Sequence, residues 1–157
     1  MLFDEVVHLT PEGFERLEDE LRQLVEVRRP QVAEMIRNAK EDGDVMENAA
    51  YDEAKDQQAF VEGRILHLED LLKRAQVIDT PASKDTVSLG SHVTVAEPDS
   101  RPESFRIVGS AEADPADGRI SNESPMGRAL MGKRVGDLAT YETPDGDTLS
   151  FEILAID

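Results

Sequence analysis

The stretch ENAAYDEAKDQQAFVEGRILHLEDLLKRA, Glu47 to Ala75, decides the architecture of the first half of the chain. Its apolar residues Ala54, Val61, Ile65, Leu68, Leu72 and Ala75 follow one another at steps of 7, 4, 3, 4 and 3. Steps of three and four return a side chain to the same face of an α-helix, and the seven-residue repeat is that of a helix packed lengthwise on another. The intervening residues are mostly charged or polar, so the buried seam is narrow. A partner helix lies upstream. Phe14, Leu17, Leu21 and Leu24 form one stripe, which resumes at Val32, Met35, Ile36 and Ala39 after Arg28-Arg29-Pro30. Thr10 suits the N-cap of this helix, with Pro11 at its first position and Glu12 in its first turn. Pro30 lacks an amide hydrogen and crowds the preceding turn, which predicts a bend or an opened turn there. Two such helices joined by a short connection make an antiparallel hairpin with arms about 40 Å long. Nothing else in the chain is patterned to cover both helices, which favours an extended hairpin over a compact bundle.

Downstream of Gln76-Val77-Ile78-Asp79, the segment Thr80-Pro81-Ala82-Ser83-Lys84 has the composition of a linker. The period then falls to two. His92-Val93-Thr94-Val95 and Ser104-Phe105-Arg106-Ile107-Val108 predict strands. Thr140-Tyr141 and Leu149 to Leu154 predict two more, flanking a turn at Pro144-Asp145-Gly146-Asp147. Ser124-Pro125 starts a short helix from Met126 to about Met131, which Gly132 stops. The expected fold class is therefore α+β. An antiparallel coiled-coil hairpin occupies 1–79 with its tip near 41–47, the linker is 80–84, and a small, mainly antiparallel β domain occupies 85–157.

Composition narrows the function. The 157 residues carry a formal charge of −17, with 20 acidic and 10 basic residues in 1–80 and 14 and 7 in 81–157. Acid in both halves argues against independent binding to DNA or RNA through a phosphate-neutralising surface. It fits a basic protein partner, or nucleic acid reached only where a partner supplies positive charge. No cysteine is present, which excludes disulfides and thiolate chemistry. No run approaches the roughly 20 apolar residues of a membrane helix, and the N-terminus lacks the pattern of a signal peptide. A cytoplasmic protein is expected. His8, His67 and His92 are too scattered to suggest a metal site or a general base.

The chemistry concentrates between the long helices, at Lys40-Glu41-Asp42-Gly43-Asp44-Val45-Met46-Glu47-Asn48. Gly43 gives the backbone freedom to reverse. Asp44 and Glu47, three residues apart, can approach one another. The same spacing also fits a capping box, with Asp44 accepting from the amide of residue 47 and Glu47 reaching back. Two carboxylates hold a divalent cation weakly, because magnesium takes six oxygens in octahedral geometry. The pair becomes a metal site only if another molecule completes it.

The stretches Arg28-Arg29-Pro30, GDVMENAAYDEAKDQQAFVEGRI (Gly43 to Ile65) and AQVID (Ala75 to Asp79) resemble the hairpin of GreA-type transcription elongation factors. RIVGSAEAD (Arg106 to Asp114), ISNESPMGRALMGKRVGD (Ile120 to Asp137) and FEIL (Phe151 to Leu154) resemble the family's C-terminal FKBP-like domain. The resemblance implies a transcript cleavage factor. Its second domain docks on the largest-subunit rim of bacterial RNA polymerase, and its hairpin enters the secondary channel. It implies that Asp44 and Glu47 complete the coordination of a catalytic Mg2+ shared with the polymerase, so that the backtracked nascent RNA is hydrolysed near its 3′ end. The factor is then an activator of the polymerase and not an enzyme on its own. The resemblance places Lys40, Asn48, Tyr51 and Lys55 near the RNA, and Asp114, Glu123, Ser124, Pro125 and Met126 on the polymerase-docking surface.

Two positions depart from the family pattern. Met46 puts an apolar side chain beside the acidic pair, and Asp42 adds negative charge where the family commonly has a neutral or basic residue. Extra acid at the tip is a trait of Gre-related inhibitors, which occupy the same channel without stimulating cleavage; that alternative stands beside the first. Prolyl isomerase activity, suggested by the FKBP-like resemblance, needs an aromatic-lined apolar pocket. Phe105, Tyr141 and Phe151 are instead expected to pack in the strands. A coiled-coil adaptor without chemistry would explain the heptads and leaves the resemblance across both halves unexplained.

Overall fold

The computed structural model describes residues 5–41, 43, 48–78 and 83–157. It divides into two compact units that are not consecutive segments: residues 1–5 with 14–75, and residues 6–13 with 76–157. Most of the expected linker, Thr80, Pro81 and Ala82, lies outside the described residues.

The first unit contains the helical hairpin. Helix α1 (Pro11–Gln23) runs without a break into a π-helical turn, Leu24–Arg28, and then into α2 (Arg29–Glu41). The π turn immediately precedes Pro30, which has no amide hydrogen to return to Glu26. The helix responds by widening one turn, with the Arg29 amide donating to the Leu24 carbonyl five residues back. The opened turn has a packing consequence. Leu24 and Val25 both reach the seam, where they join Leu21 and Ile36 around buried Val32, Val61 and Ile65. The stripe therefore keeps its phase across the proline.

Helix α3 (Ala49–Lys73) is the return arm and buries Ala54, Val61, Ile65, Leu68 and Leu71. At the last of these the seam differs from the expected one: Leu71 is buried and Leu72 only half-buried. Measured from Leu68, Leu71 lies about 60° to one side of the helix and Leu72 about 40° to the other, so sequence spacing alone does not decide which is buried. Two bidentate pairs link the arms, Arg29 to Glu62 (2.9 and 2.9 Å) and Arg64 to Glu20 (2.7 and 2.9 Å). Arg28 also donates to Gln57. Such exposed or half-exposed pairs add little stability and mainly fix register.

The second unit is a five-stranded sheet with a short helix. Its strands are β3 (His92–Ala96), β4 (Glu103–Val108), β5 (Arg119–Ser121), β6 (Leu138–Glu142) and β7 (Thr148–Ile156). They lie in the order β5-β4-β3-β7-β6, and only β4 and β5 are parallel. One face carries the core of Val93, Val95, Ile107, Phe151 and Ile153, closed by Leu130 of helix α4 (Pro125–Leu130). Phe105 and Tyr141 pack on this core, and the Tyr141 ring stacks on Phe151 with centroids 6.0 Å apart. The aromatic residues are thus used in packing, as the strand period implied. Two short strands, β1 (Val7–Leu9) and β2 (Ala75–Val77), form a separate two-stranded sheet that sequence periodicity did not indicate.

Candidate functional site: the hairpin tip and the loops around β5

The tip is built by one side chain. Asn48 is the N-cap of α3, with extended backbone (φ −100°, ψ 103°) and an Oδ1 that accepts from the amides of Ala50 (3.0 Å) and Tyr51 (3.2 Å). Its Nδ2 donates to the carbonyl of Ala39, 2.6 Å away near the end of α2. One amide therefore satisfies orphan donors at the start of one helix and an acceptor at the end of the other. This ties the two arms together below the connecting residues. The N-cap of α3 is Asn48 and the helix starts at Ala49 rather than near Glu47; the capping box read at Asp44 and Glu47 falls outside the described residues. The candidate pair Asp44 and Glu47 lies outside the described residues, as do Asp42 and Met46. Among the described residues no cluster of three or more His, Asp or Glu could hold a metal ion.

The remaining tip candidates surround this clasp. Lys40 is exposed in the last turn of α2. Lys55 is exposed in the second turn of α3, where its Nζ donates to Gln58 (2.9 Å). Tyr51 is half-buried, one turn after Asn48. A cation thus stands on each arm, near the connection.

In the second unit, the other candidates collect at the two ends of β5. At one end, Asp114 and Arg119 exchange backbone hydrogen bonds (2.9 and 3.0 Å), and the Arg119 guanidinium lies 3.5 Å from the Asp114 carboxylate and also pairs with Asp117. At the other end, Ser124 caps α4: its Oγ accepts from the Gly127 amide (3.0 Å) and donates to the Ser121 carbonyl (2.7 Å). Glu123 is exposed and its carboxylate accepts from Ser110 Oγ at 2.8 Å. Pro125 is exposed, whereas Met126 is half-buried against the core. Of the five expected docking residues, Glu123 and Pro125 are the ones turned fully to solvent.

Two features of this unit escaped sequence reading. Glu112 is buried, and its carboxylate accepts from the Thr10 amide (2.7 Å) and the Thr10 hydroxyl (2.6 Å). The same Thr10 oxygen accepts from the Gly13 amide (3.0 Å), so the cap read in the sequence is itself anchored by a residue 102 positions away. Glycine at 13 leaves the room that the Glu112 carboxylate takes. Gly127 is the second: a Cβ there would overlap the Ser121 carbonyl oxygen, so α4 can approach β5 only with glycine at that position. A glycine three residues into a helix was the available signal. Glu12, in the first turn of α1, has its carboxyl held below the usual carboxylate range by the backbone amide it accepts from and then by Arg106, 3.1 Å away.

Comparison with known proteins gives a consistent answer along the chain. Residues 7–77 match the family described as transcription elongation factor, N-terminal, and residues 82–157 match transcription elongation factor, GreA/GreB, C-term. A transcription elongation factor GreA from Thermomicrobium roseum is 50% identical over 154 residues, 97% of each chain. One from Macrococcus caseolyticus is 49% identical over 149 residues, 94% of each. Among solved structures, GreA factor homolog 1 of Thermus thermophilus is 35% identical and covers 98% of this chain and 99% of its own, with a TM-score of 0.46.

Proposed function

This chain belongs to the GreA/GreB family of transcription elongation factors, and on that premise we propose that it works inside bacterial RNA polymerase as a transcript cleavage factor. The observation that carries the proposal is the Asn48 clasp. By holding Ala39 and the start of α3 together, it makes residues 42–47 the connection at the end of a two-helix arm, with Asp44 and Glu47 among them. The arm enters the secondary channel, while the second unit docks on the rim of the largest subunit through the loops around β5, with Glu123 and Pro125 foremost.

At the active site, Asp44 and Glu47 offer hard carboxylate oxygens, the donor type magnesium prefers. Two such ligands leave its octahedral shell unfilled, so the polymerase provides the remainder, and the protein is an activator rather than an enzyme in its own right. When bound between the two proteins, Mg2+ supplies Lewis-acid activation of water and neutralises charge developing at the phosphodiester. Lys40 and Lys55 flank the tip and offset the repulsion between an acidic arm and the RNA, as point charges without the bidentate fork of arginine. Asn48 and Tyr51 position the connection rather than contact the reacting atoms. Nucleic acid is met only inside the complex, which places the protein in the cytoplasm with the transcription machinery. No helix among the described residues is long and apolar enough to cross a membrane.

The test is a stalled, backtracked elongation complex carrying 5′-labelled RNA, with magnesium and increasing amounts of the protein. Faster shortening of the RNA from its 3′ end is the expected result. Slowing of both cleavage and nucleotide addition would replace this reading with that of a channel-blocking inhibitor.

A further inference from the structure

The two arms of the hairpin do not count alike. On α3 the buried residues Ala54, Val61 and Leu68 are seven apart, an unbroken heptad. On the opposite arm Leu17 and Leu24 are seven apart, and so are Val25, Val32 and Ala39, but the two series are offset by a single residue between Leu24 and Val25. The offset falls in the π turn, Leu24–Arg28, where the Arg29 amide donates to the carbonyl five residues back. A π turn holds one residue more than an α turn, so it absorbs the extra one and leaves both series on the buried side of the arm. Pro30 keeps it there. Closing an α turn over Glu26–Pro30 needs the amide that proline lacks, so the extra residue cannot slide along α2 toward the tip. A bidentate pair stands on either side, Arg64 with Glu20 before the turn and Arg29 with Glu62 at its end, holding each segment against α3.

The consequence lies at the far end of α2. Ala39 closes the second series, and its carbonyl accepts from Asn48 Nδ2 at 2.6 Å. Wound as a continuous α-helix, the same sequence would carry Ile36 and Ala39 about 100° further round the axis of α2. Ala39 would leave the seam and its carbonyl would move away from Asn48.

We propose that this π turn is a positioning element for RNA cleavage: by absorbing one residue it sets the rotation of α2, places Ala39 against Asn48, and so aims the connection that carries Asp44 and Glu47. The inference rests on the function proposed above and extends it from the tip to a turn about 16 Å back along α2, the 11 residues from Arg28 to Ala39.

The test removes one exposed glutamate from either side of Pro30. Deleting Glu26 together with Pro30→Ala takes out both the extra residue and the proline, leaving continuous heptads from Leu17 to Ala39. Deleting Glu34 alone keeps the π turn and Pro30 but puts Ile36 and Ala39 one residue out of phase. Cleavage of backtracked RNA is measured at saturating protein, with saturation set by displacement of labelled wild type from the polymerase and helicity checked by circular dichroism. The Glu26 variant is expected to cleave like wild type. The Glu34 variant is expected to bind and to lose about 100-fold in saturating rate, the scale of loss for a misplacement of about 1 Å. A second readout needs no polymerase: the Asn48 side-chain amide proton bonded to Ala39 should exchange slowly in wild type and the Glu26 variant, and fast in the Glu34 variant. Equal loss of cleavage by the two bound variants would overturn the proposal, as would full cleavage by the Glu34 variant. If the Glu34 variant loses its helicity, the Glu26 variant decides alone: cleavage at the wild-type rate supports phase setting, and a loss overturns it. If wild type itself does not stimulate cleavage, the function proposed above falls, and slow Asn48 exchange in the Glu34 variant would separately show that the π turn does not set the clasp.

Discussion

Ile65 in the hairpin and Ile153 in the sheet unit are the same residue at nearly the same burial, 2% and 0% exposed, in very different surroundings. Ile65 lies on a single seam between two helices, beside Val32, Val61 and a few half-buried neighbours. Ile153 lies under a sheet, enclosed by Val93, Val95, Ile107 and Phe151 with Leu130 above. A seam open on both sides can close over a lost side chain or admit water, whereas an enclosed core keeps the hole. The hairpin obtains reach from few contacts and spends polar links on register. The sheet unit obtains rigidity from an enclosed core.

Deleting the same atoms from each region is the sharpest way to break this comparison. Ile153→Ala should cost about 4–5 kcal/mol and Ile65→Ala about 2–3 kcal/mol in urea unfolding, because the cost rises with the cavity that remains. Equal costs would contradict the distinction between seam and core. Next in size is Glu112→Ala, which strands the buried Thr10 amide and hydroxyl and should cost about 2–3 kcal/mol; Glu112→Gln, which keeps an acceptor, should cost less. A cost shared equally by the two variants would show that both carboxylate oxygens must accept, since glutamine keeps the shape and one acceptor.

Asn48→Ala should cost about 1–2 kcal/mol and act locally. Amide exchange at Ala50 and Tyr51 should quicken while the Ile153 amide stays protected, and stimulated RNA cleavage should fall. The smallest effect is electrostatic. Glu12 has a depressed carboxyl pKa in the folded protein, so its contribution is present above the unfolded value of about 4.3 and is lost as pH falls through the folded value. Its side chain is largely exposed, and screening limits the effect to under about 0.5 kcal/mol. Wild type should exceed Glu12→Gln slightly at pH 7, and their stabilities should converge in acid.

The hairpin was legible because an apolar seam at helical spacing leaves a direct trace in sequence, from Leu17 through Ile65 to Leu68. The opened turn at Pro30 was legible for a related reason: a missing donor has one local consequence. The strands β3, β4, β6 and β7 followed from alternation and from the Gly146 turn. What the pattern did not reveal was non-local. Strand β5 is three residues long and pairs in parallel with β4, so no turn announces it. Thr10 looked like a self-sufficient cap, yet its oxygen is held by Glu112 through a contact no spacing encodes. At the tip, the pattern Asp44-x-x-Glu47 satisfied the rule for a capping box, and the N-cap of α3 is Asn48, whose amide serves both arms at once.

The central claim is that those carboxylates, carried on the arm, are what the polymerase lacks for rapid hydrolysis of backtracked RNA. The most direct measurement compares wild type with Asp44→Ala/Glu47→Ala on a backtracked elongation complex, with displacement of labelled wild type recorded on the same samples. The account predicts that the double variant competes for the polymerase as wild type does, while RNA cleavage falls to the rate of the polymerase alone. Cleavage that stays near the wild-type rate, with the variant bound, would contradict it.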